Sequence, residues 1–314
     1  MDRPTLSDWK LWLSDRIEAS LGDKFGKLSI SFLSQTNDVA DGTTVLRVCD
    51  GAGKSRAVVL CAAPVAPDMV KRAMYKARQA KMSLGPCLGA PILEPLMEGG
   101  EHGLSFAVLP YCNSLSKFRP LWWMQRARLR TAVLEWLWRV TECTVCNVEL
   151  PHVEGDFAAP LRKVASLKAL SGRVRTAAEW AAGRLVSGEW RPKYVLMHAD
   201  LWKGNILVRP GGGTGEKRLW VDQLAIIDWA GSEIHGYAIF DLIRISQSLQ
   251  LNKTGLRTEV GRHCHLLQCE VADAMSYLLA ALGHIAIHIE YFSVDTYARM
   301  ADACFATLDE TLRG

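Results

Sequence analysis

The chain lacks any uninterrupted apolar run long enough to span a bilayer. Its most apolar stretch, 274–292, is broken by Ser276, Gly283, His284, His288 and Glu290, so it reads as a buried helix of a larger lobe. A large excess of charge is missing too: 37 basic against 33 acidic residues leave a net +4, without the concentrated positive field of a nucleic-acid binder. Neither nucleic acid nor a membrane is therefore an expected partner. The nine cysteines are odd in number and show no short-spaced framework of pairs, and the residues after Met1 lack the apolar core of a signal peptide. A reduced, cytoplasmic protein is the expectation. Internal repeats are absent, and low complexity is confined to Pro-Gly-Gly-Gly-Thr-Gly at 210–215, which reads as a hairpin tip.

What is present is the composition of a globular protein, 49% hydrophobic and 22% charged over 314 residues. That length permits one large domain or two lobes of ordinary size. Residues 5–21 carry Trp9, Leu11, Trp12, Leu13, Ile17 and Leu21 close to helical spacing, with Ser7 as a candidate N-cap and Gly22 as a candidate stop. Short, often β-branched runs follow at 28–34, 43–49, 56–62, 92–97 and 104–110, with a helical stretch at 68–82 between the third and fourth. From residue 122 the pattern turns helical: 122–146 carries Leu129, Val133, Trp136, Leu137 and Val140, and 158–186 breaks near Ser171-Gly172. The division predicted is a mostly β lobe over 1–110 and a helical lobe over 111–314.

The densest chemistry lies at 194–229. An apolar lead-in ends at His198-Ala-Asp200, Asn205 follows after four residues, 206–208 reads as a short strand, and a second apolar strand ends at Asp228-Trp229. Phosphoryl transfer needs a carboxylate to orient the attacking hydroxyl and hard oxygen ligands to hold magnesium on the nucleotide phosphates. Asp200, Asn205 and Asp228 are the residue types that division of labour requires. An isolated Asp or Asn usually caps a turn; the combination is what points to chemistry. Gly53-Lys54-Ser55 imitates the end of a phosphate-binding loop, but Val48 stands where the first glycine belongs. Cys143-x-x-Cys146 and His263-x-His265 lack the second pair that a zinc site needs.

The motif resembles the aminoglycoside phosphotransferase and choline kinase-like group of small-molecule kinases, whose signature reads H-G-D-x-x-x-x-N-[IV]-[LIF] and then I-D-[WF]. The resemblance covers 194–245 and extends to Gly236 and Asp241-Leu242. It implies an α+β, bilobal protein-kinase-like fold with a five-stranded antiparallel N-lobe sheet and a mainly helical C-lobe. It also implies ATP and Mg2+ as cofactors and a small-molecule hydroxyl, of a sugar, amino alcohol or aminoglycoside-like compound, as acceptor. On this basis Asp200 is the expected catalytic base, Asn205 and Asp228 the metal ligands, and His198 and Asp241 the structural support of the loop. Lys203 is a candidate for the γ-phosphate. Residues 35–42 would turn over the phosphates, and the hinge at 109–112, with Leu109 and Tyr111, would meet adenine.

The third strand lacks the kinase lysine, and the helix at 68–82 has no acid after Asp68. Arg47, in Val-Leu-Arg-Val, is the expected substitute, or the direct equivalent in a shifted register, with Lys76 of the basic helix as runner-up. Loss of the pair also leaves open a pseudokinase, a nucleotide- or protein-binding module without catalysis. Helices at 156–190 and 237–290 are the expected acceptor-facing regions; Trp180, Trp190 and Trp202 could supply an aromatic cage for a choline-like acceptor or equally be core.

Overall fold

The computed structural model describes residues 5–35, 43–210, 223–289 and 293–313, so the expected phosphate turn at 36–42 and most of the glycine-rich tip lie outside the described residues. By contacts the chain forms two compact units: Met1–Gln79, Ala90–Ser114 and Ile206–Ala230 make the first, and Ala80–Gly89, Leu115–Asn205 and Gly231–Gly314 the second.

The first unit is built on a five-stranded antiparallel sheet in the order β1-β2-β3-β5-β4. Its strands are β1 (Leu28–Gln35), β2 (Thr44–Asp50), β3 (Ser55–Cys61), β4 (Met97–Glu101) and β5 (Leu104–Pro110). Helix α1 (Leu6–Phe25) packs Trp9, Leu13 and Ile17 on one face of the sheet, against Leu46, Val48, Val59, Phe106 and Val108. Its start differs from the expectation. Thr5, not Ser7, is the N-cap, because Thr5 and Asp8 form a reciprocal capping box. The stop is Gly26, at φ +71, while Gly22 lies within the helix. On the opposite face, Val70 and Met74 of α2 (Met69–Leu88) join Leu93, Ala107 and Leu109 in a second cluster. Helix α2 outruns its expected end through a kink at Gly85 and Pro86.

The fourth strand is also displaced. Ile92 makes a single parallel bridge to Ile226, and pairing with β5 runs from Met97 to Glu101 instead. Pro91 and Pro95 break a ladder that the apolar residues 92–97 suggested, whereas Gly99 admits the Phe106 ring, which would stand 3.2 Å from a Cβ there. A three-stranded sheet completes this unit, β6 (Asn113–Ser114) pairing with β9 (Ile206–Val208), which pairs with β10 (Leu224–Ile226).

The second unit is helical: α3 (Arg119–Thr144), α4 (Leu150–Val153), a π turn at Glu154–Ala158, α5 (Ala159–Ser166), α6 (Gly172–Ser187), α7 (Phe240–Leu249), α8 (Lys253–Leu267), α9 (Asp273–Ile287) and α10 (Val294–Arg313). Short strands β7 (Cys146–Asn147), β8 (Lys193–Met197) and β11 (Glu233–Gly236) form its sheet, with β8 in the centre. Helix α9 is apolar all round because it is the core: Ala274 and Tyr277–Leu282 are fully buried. No described helix is long and apolar enough to cross a membrane. At one end of this core the buried Asp273 is held by Arg184 Nη2 at 2.9 Å and Nε at 3.2 Å. Gly283 lets α9 reach the α5 backbone, since a Cβ there would lie 2.1 Å from the Pro160 carbonyl oxygen. Every cysteine is a free thiol.

Two glycines on helices of this unit therefore have opposite expected outcomes. Gly283→Ala must force α9 from α5 and should lower unfolding free energy by about 3 kcal/mol. Gly261→Ala, on α8 with open space around its Cβ position, should raise it by up to about 1 kcal/mol. Urea unfolding of both variants checks the assignment; equal effects would contradict the backbone contact.

Candidate active site

Strand β8 delivers the chain to His198, where an extended strand must become a tight loop. The turn is made by Ala199 at φ +70, a left-handed conformation that costs an alanine roughly 1–2 kcal/mol and that the related signature assigns to glycine. Asp241, in the first turn of α7, holds it: Oδ2 accepts the His198 amide at 2.6 Å and Oδ1 the Ala199 amide at 3.1 Å. Ile239, just before α7, has φ +73, so the anchoring helix is also entered through a strained residue. Asp241 is only 5% exposed, and burial pushes its pKa up to about 7 against the lowering effect of the two amides.

Behind the loop, the buried His198 accepts the Asp200 amide on Nδ1 at 3.3 Å. The Asp200 side chain remains 46% exposed. Asn205 fixes it, donating from Nδ2 to Oδ2 and to the Asp200 carbonyl, both at 2.9 Å. These two acceptors settle the amide orientation and leave the Asn205 Oδ1 as an oxygen donor suited to a hard cation. On its other oxygen, Asp200 meets Arg244 Nη2 at 3.3 Å. Desolvation raises the Asp200 pKa, while Arg244 and Asn205 pull it down.

Lys203 opens the short 3-10 turn Lys203–Asn205 and is exposed. Its amide donates to Ser248 Oγ of α7 at 3.0 Å, and its Nζ lies 5.3 Å from the centre of the Trp122 ring. Trp202 lies across Gly204, whose absent Cβ would stand 2.4 Å from the indole. His198, Asp200, Asn205 and Asp241 are thus brought together by direct bonds.

The remaining predicted residues belong to the first unit. Asp228 follows β10, exposed and at φ +67, and the next residue, Trp229, is buried with Nε1 donating to the Ile226 carbonyl at 2.9 Å. Arg47 stands in one cross-strand row with Ser31, Val58 and Leu109, on the face opposite α1. It lies on the second strand, so the shifted register that would make it the third-strand cation is not adopted. Its Nε donates to Ser31 Oγ at 3.4 Å. On the third strand the only cation, Arg56, is tied to Asp50 at 2.7 Å. At the hinge Leu109 is buried, and Tyr111 donates its amide to the Arg56 carbonyl at 3.1 Å.

Sequence reasoning missed Arg244. Its signal was available as the spacing Asp241-x-x-Arg244, which places both side chains on one face of a helix. Of the tryptophans that could have formed a cage or a core, Trp190 is core, buried against Phe157 and Tyr277, and Trp180 carries the Arg184 guanidinium. Asp156 accepts the Tyr194 hydroxyl, and Glu154 pairs with Arg162. Among the described residues no three His, Cys, Asp or Glu side chains form a metal cluster.

No family model matches the chain, and no curated protein matches it by sequence. Solved structures do match. A thermostable mutant of the aminoglycoside phosphotransferase APH(4)-Ia superposes with a TM-score of 0.53 at 16% identity, covering 93% of this chain and 98% of its own. The choline kinase LicA from Streptococcus pneumoniae gives 0.52 at 12% identity, covering 95% and 99%. The chain has the protein-kinase-like fold of small-molecule kinases. The five-stranded antiparallel sheet and helical unit expected from the motif are the elements of that kinase-like fold.

Ala199 is the strained point of the loop. Ala199→Gly should raise unfolding free energy by about 0.5–1 kcal/mol, where the same change in an exposed helix would lower it. Thermal and urea unfolding test this; destabilisation would mean that the left-handed turn is not adopted.

Proposed function

We propose that the chain is an ATP- and magnesium-dependent phosphotransferase acting on a hydroxyl of a small molecule. One observation carries this reading: Asp200 presents a solvent-reachable carboxylate from a loop pinned by Asp241, with one oxygen fixed by Asn205 and the other by Arg244. Phosphoryl transfer asks the protein for positioning and electrostatic stabilisation more than for covalent chemistry. Asp200 orients the acceptor hydroxyl and takes its proton as the oxygen attacks. Asn205 and Asp228 are the magnesium ligands, and Lys203 serves the γ-phosphate. Arg47 serves the phosphates in place of the third-strand lysine, while Leu109 and Tyr111 border adenine. Bound nucleotide and magnesium would supply the transferable phosphoryl group and the neutralisation of its charge.

Arg244 gives Asp200 a further property. Partial burial raises the pKa of the Asp200 carboxyl above the usual carboxylate value. Arg244 opposes that. The same cation argues about the acceptor. A polycationic aminoglycoside needs a cluster of available acids, whereas Asp200 is met by Arg244, and Asp156, Glu154 and Glu189 are bonded to Tyr194, Arg162 and Arg184. A neutral polyol such as a sugar suits these groups better than a polycation. The absent third-strand lysine and the acid-free helix α2 favour one second reading, a nucleotide- or protein-binding module without turnover.

Asp200→Ala should lower turnover by about 10²–10⁴-fold with little change in nucleotide affinity, measured as ADP release against a panel of hydroxyl-bearing metabolites and against water. Arg244→Met removes a group that lowers the Asp200 pKa. The acid limb of the rate profile should therefore move to higher pH, because a base with a raised pKa becomes protonated sooner as pH falls. Undiminished turnover in the first variant would remove Asp200 from the mechanism, and an unshifted acid limb in the second would leave Arg244 without an electrostatic part.

A further inference from the structure

Helix α3 carries two apolar faces, and the fold uses only one. Leu129, Val133, Trp136, Leu137 and Val140 are buried in the helical unit. Over the first turns a second stripe, Pro120, Trp123, Met124 and Ala127, runs at the i, i+3, i+4, i+7 spacing of a single helix face and is exposed throughout. Trp123 is 59% and Met124 57% exposed, and Phe118 and Leu121 beside them are also exposed. Trp123 and Met124 give the stripe two large exposed apolar side chains, and Phe118 and Leu121 add exposed apolar surface at the same end of the helix, more than the single scattered exposures a soluble surface normally shows.

The charge of this segment has one sign. Between Glu101 and Glu135 the chain has no Asp or Glu, while Lys117, Arg119, Arg126, Arg128 and Arg130 fall within or just before the first half of α3. At 100° per residue, the exposed Arg119 and Arg128 stand on either side of the outward stripe, while Arg126 and Arg130, on the Arg119 side, are half-buried and Arg126 donates to Gln250 Oε1. A tryptophan-bearing apolar stripe flanked by arginines is the pattern of a helix that lies in a lipid interface, apolar residues at the acyl boundary and cations among the headgroups.

We propose that the start of α3, with the turn before it, is a peripheral docking surface for anionic lipid. The stripe lies on the exposed face of a single helix, which suits a fluid surface. A second copy of the chain is disfavoured by charge, since a two-fold contact across this face would set one cationic segment against the other. A search for spanning segments overlooks such a surface, because its apolar residues are spaced around a helix and not consecutive.

The test is co-sedimentation of the full chain with vesicles of phosphatidylcholine alone and of phosphatidylcholine mixed with phosphatidylserine, at physiological ionic strength. Binding is expected to the mixed vesicles and not to the neutral ones. Trp123→Ser with Met124→Ser should weaken it by about tenfold or more. Lys117→Glu with Arg119→Glu should weaken it by at least about 30-fold, at roughly fivefold for each basic residue lost. All four side chains are exposed, so thermal unfolding of both variants should match the parent; Trp123→Ala alone repeats the test should either double variant fold poorly. Absence of sedimentation, equal binding to neutral vesicles, or binding indifferent to these variants would overturn the proposal. So would a dimer in analytical ultracentrifugation that Trp123→Ser with Met124→Ser abolishes, because the stripe would then belong to a second copy.

Discussion

Two backbone amides bonded to one buried carboxylate hold the loop on which the proposed chemistry rests. Without the Asp241 oxygens on the His198 and Ala199 amides, nothing printed by the sequence would favour a left-handed alanine at the end of β8. The two amides would then be buried donors without acceptors, at a cost of about 1–3 kcal/mol each. Because Asp241 sits in the first turn of α7, the loop inherits the rigidity of a helix. The next turn of the same helix supplies Arg244 and then Ser248, which accepts the Lys203 amide. One helix face therefore sets the backbone of the loop, the charge state of Asp200 and the start of the turn that ends at Asn205.

The same neighbours bear on the base role proposed for Asp200, a partly exposed carboxylate. Burial works against its charge, and two neighbours work for it: the Arg244 guanidinium on one oxygen and the Asn205 amide on the other. The division is economical in donors, since Asn205 spends both amide hydrogens on Asp200 and keeps its oxygen for another partner. In the proposed reading, the Arg244 cation on Asp200 would disfavour a cationic acceptor. In the sheet unit, Arg47 stands in one row with Val58 and Leu109, a placement that supports the substitution of a second-strand arginine for the missing third-strand lysine.

The sequence made the sheet and the helical unit legible because their signals are local. The short, often β-branched apolar runs of β2, β3 and β5 and the apolar spacing in α1 and α3 are properties of a few consecutive residues. It misled where a longer-range contact decided the outcome. The apolar run at 92–97 resembles a strand, yet Pro91 and Pro95 deny it a ladder, and the glycine-containing residues 97–101 pair instead because Phe106 packs over Gly99. Trp180, Trp190 and Trp202 looked equivalent in sequence, and only packing separates a core residue from one under Arg184 and one across Gly204. In the candidate site, His198, Asp200 and Asn205 were singled out by the motif and the family it resembles, and the structure places them on one loop. Arg244 was not read, since its partner lies 44 positions earlier and an arginine on an amphipathic helix usually faces solvent.

The central claim is that this fold has kept a magnesium-dependent nucleotide site although the third-strand lysine is gone. Calorimetric titration of ATP with and without magnesium, on the parent chain and on Asp228→Ala, tests it most directly. The account predicts binding that requires magnesium and that Asp228→Ala abolishes or weakens severely. Failure to bind ATP in any condition, or binding indifferent to both the metal and Asp228, would contradict it and leave the chain as a kinase-like fold without kinase chemistry.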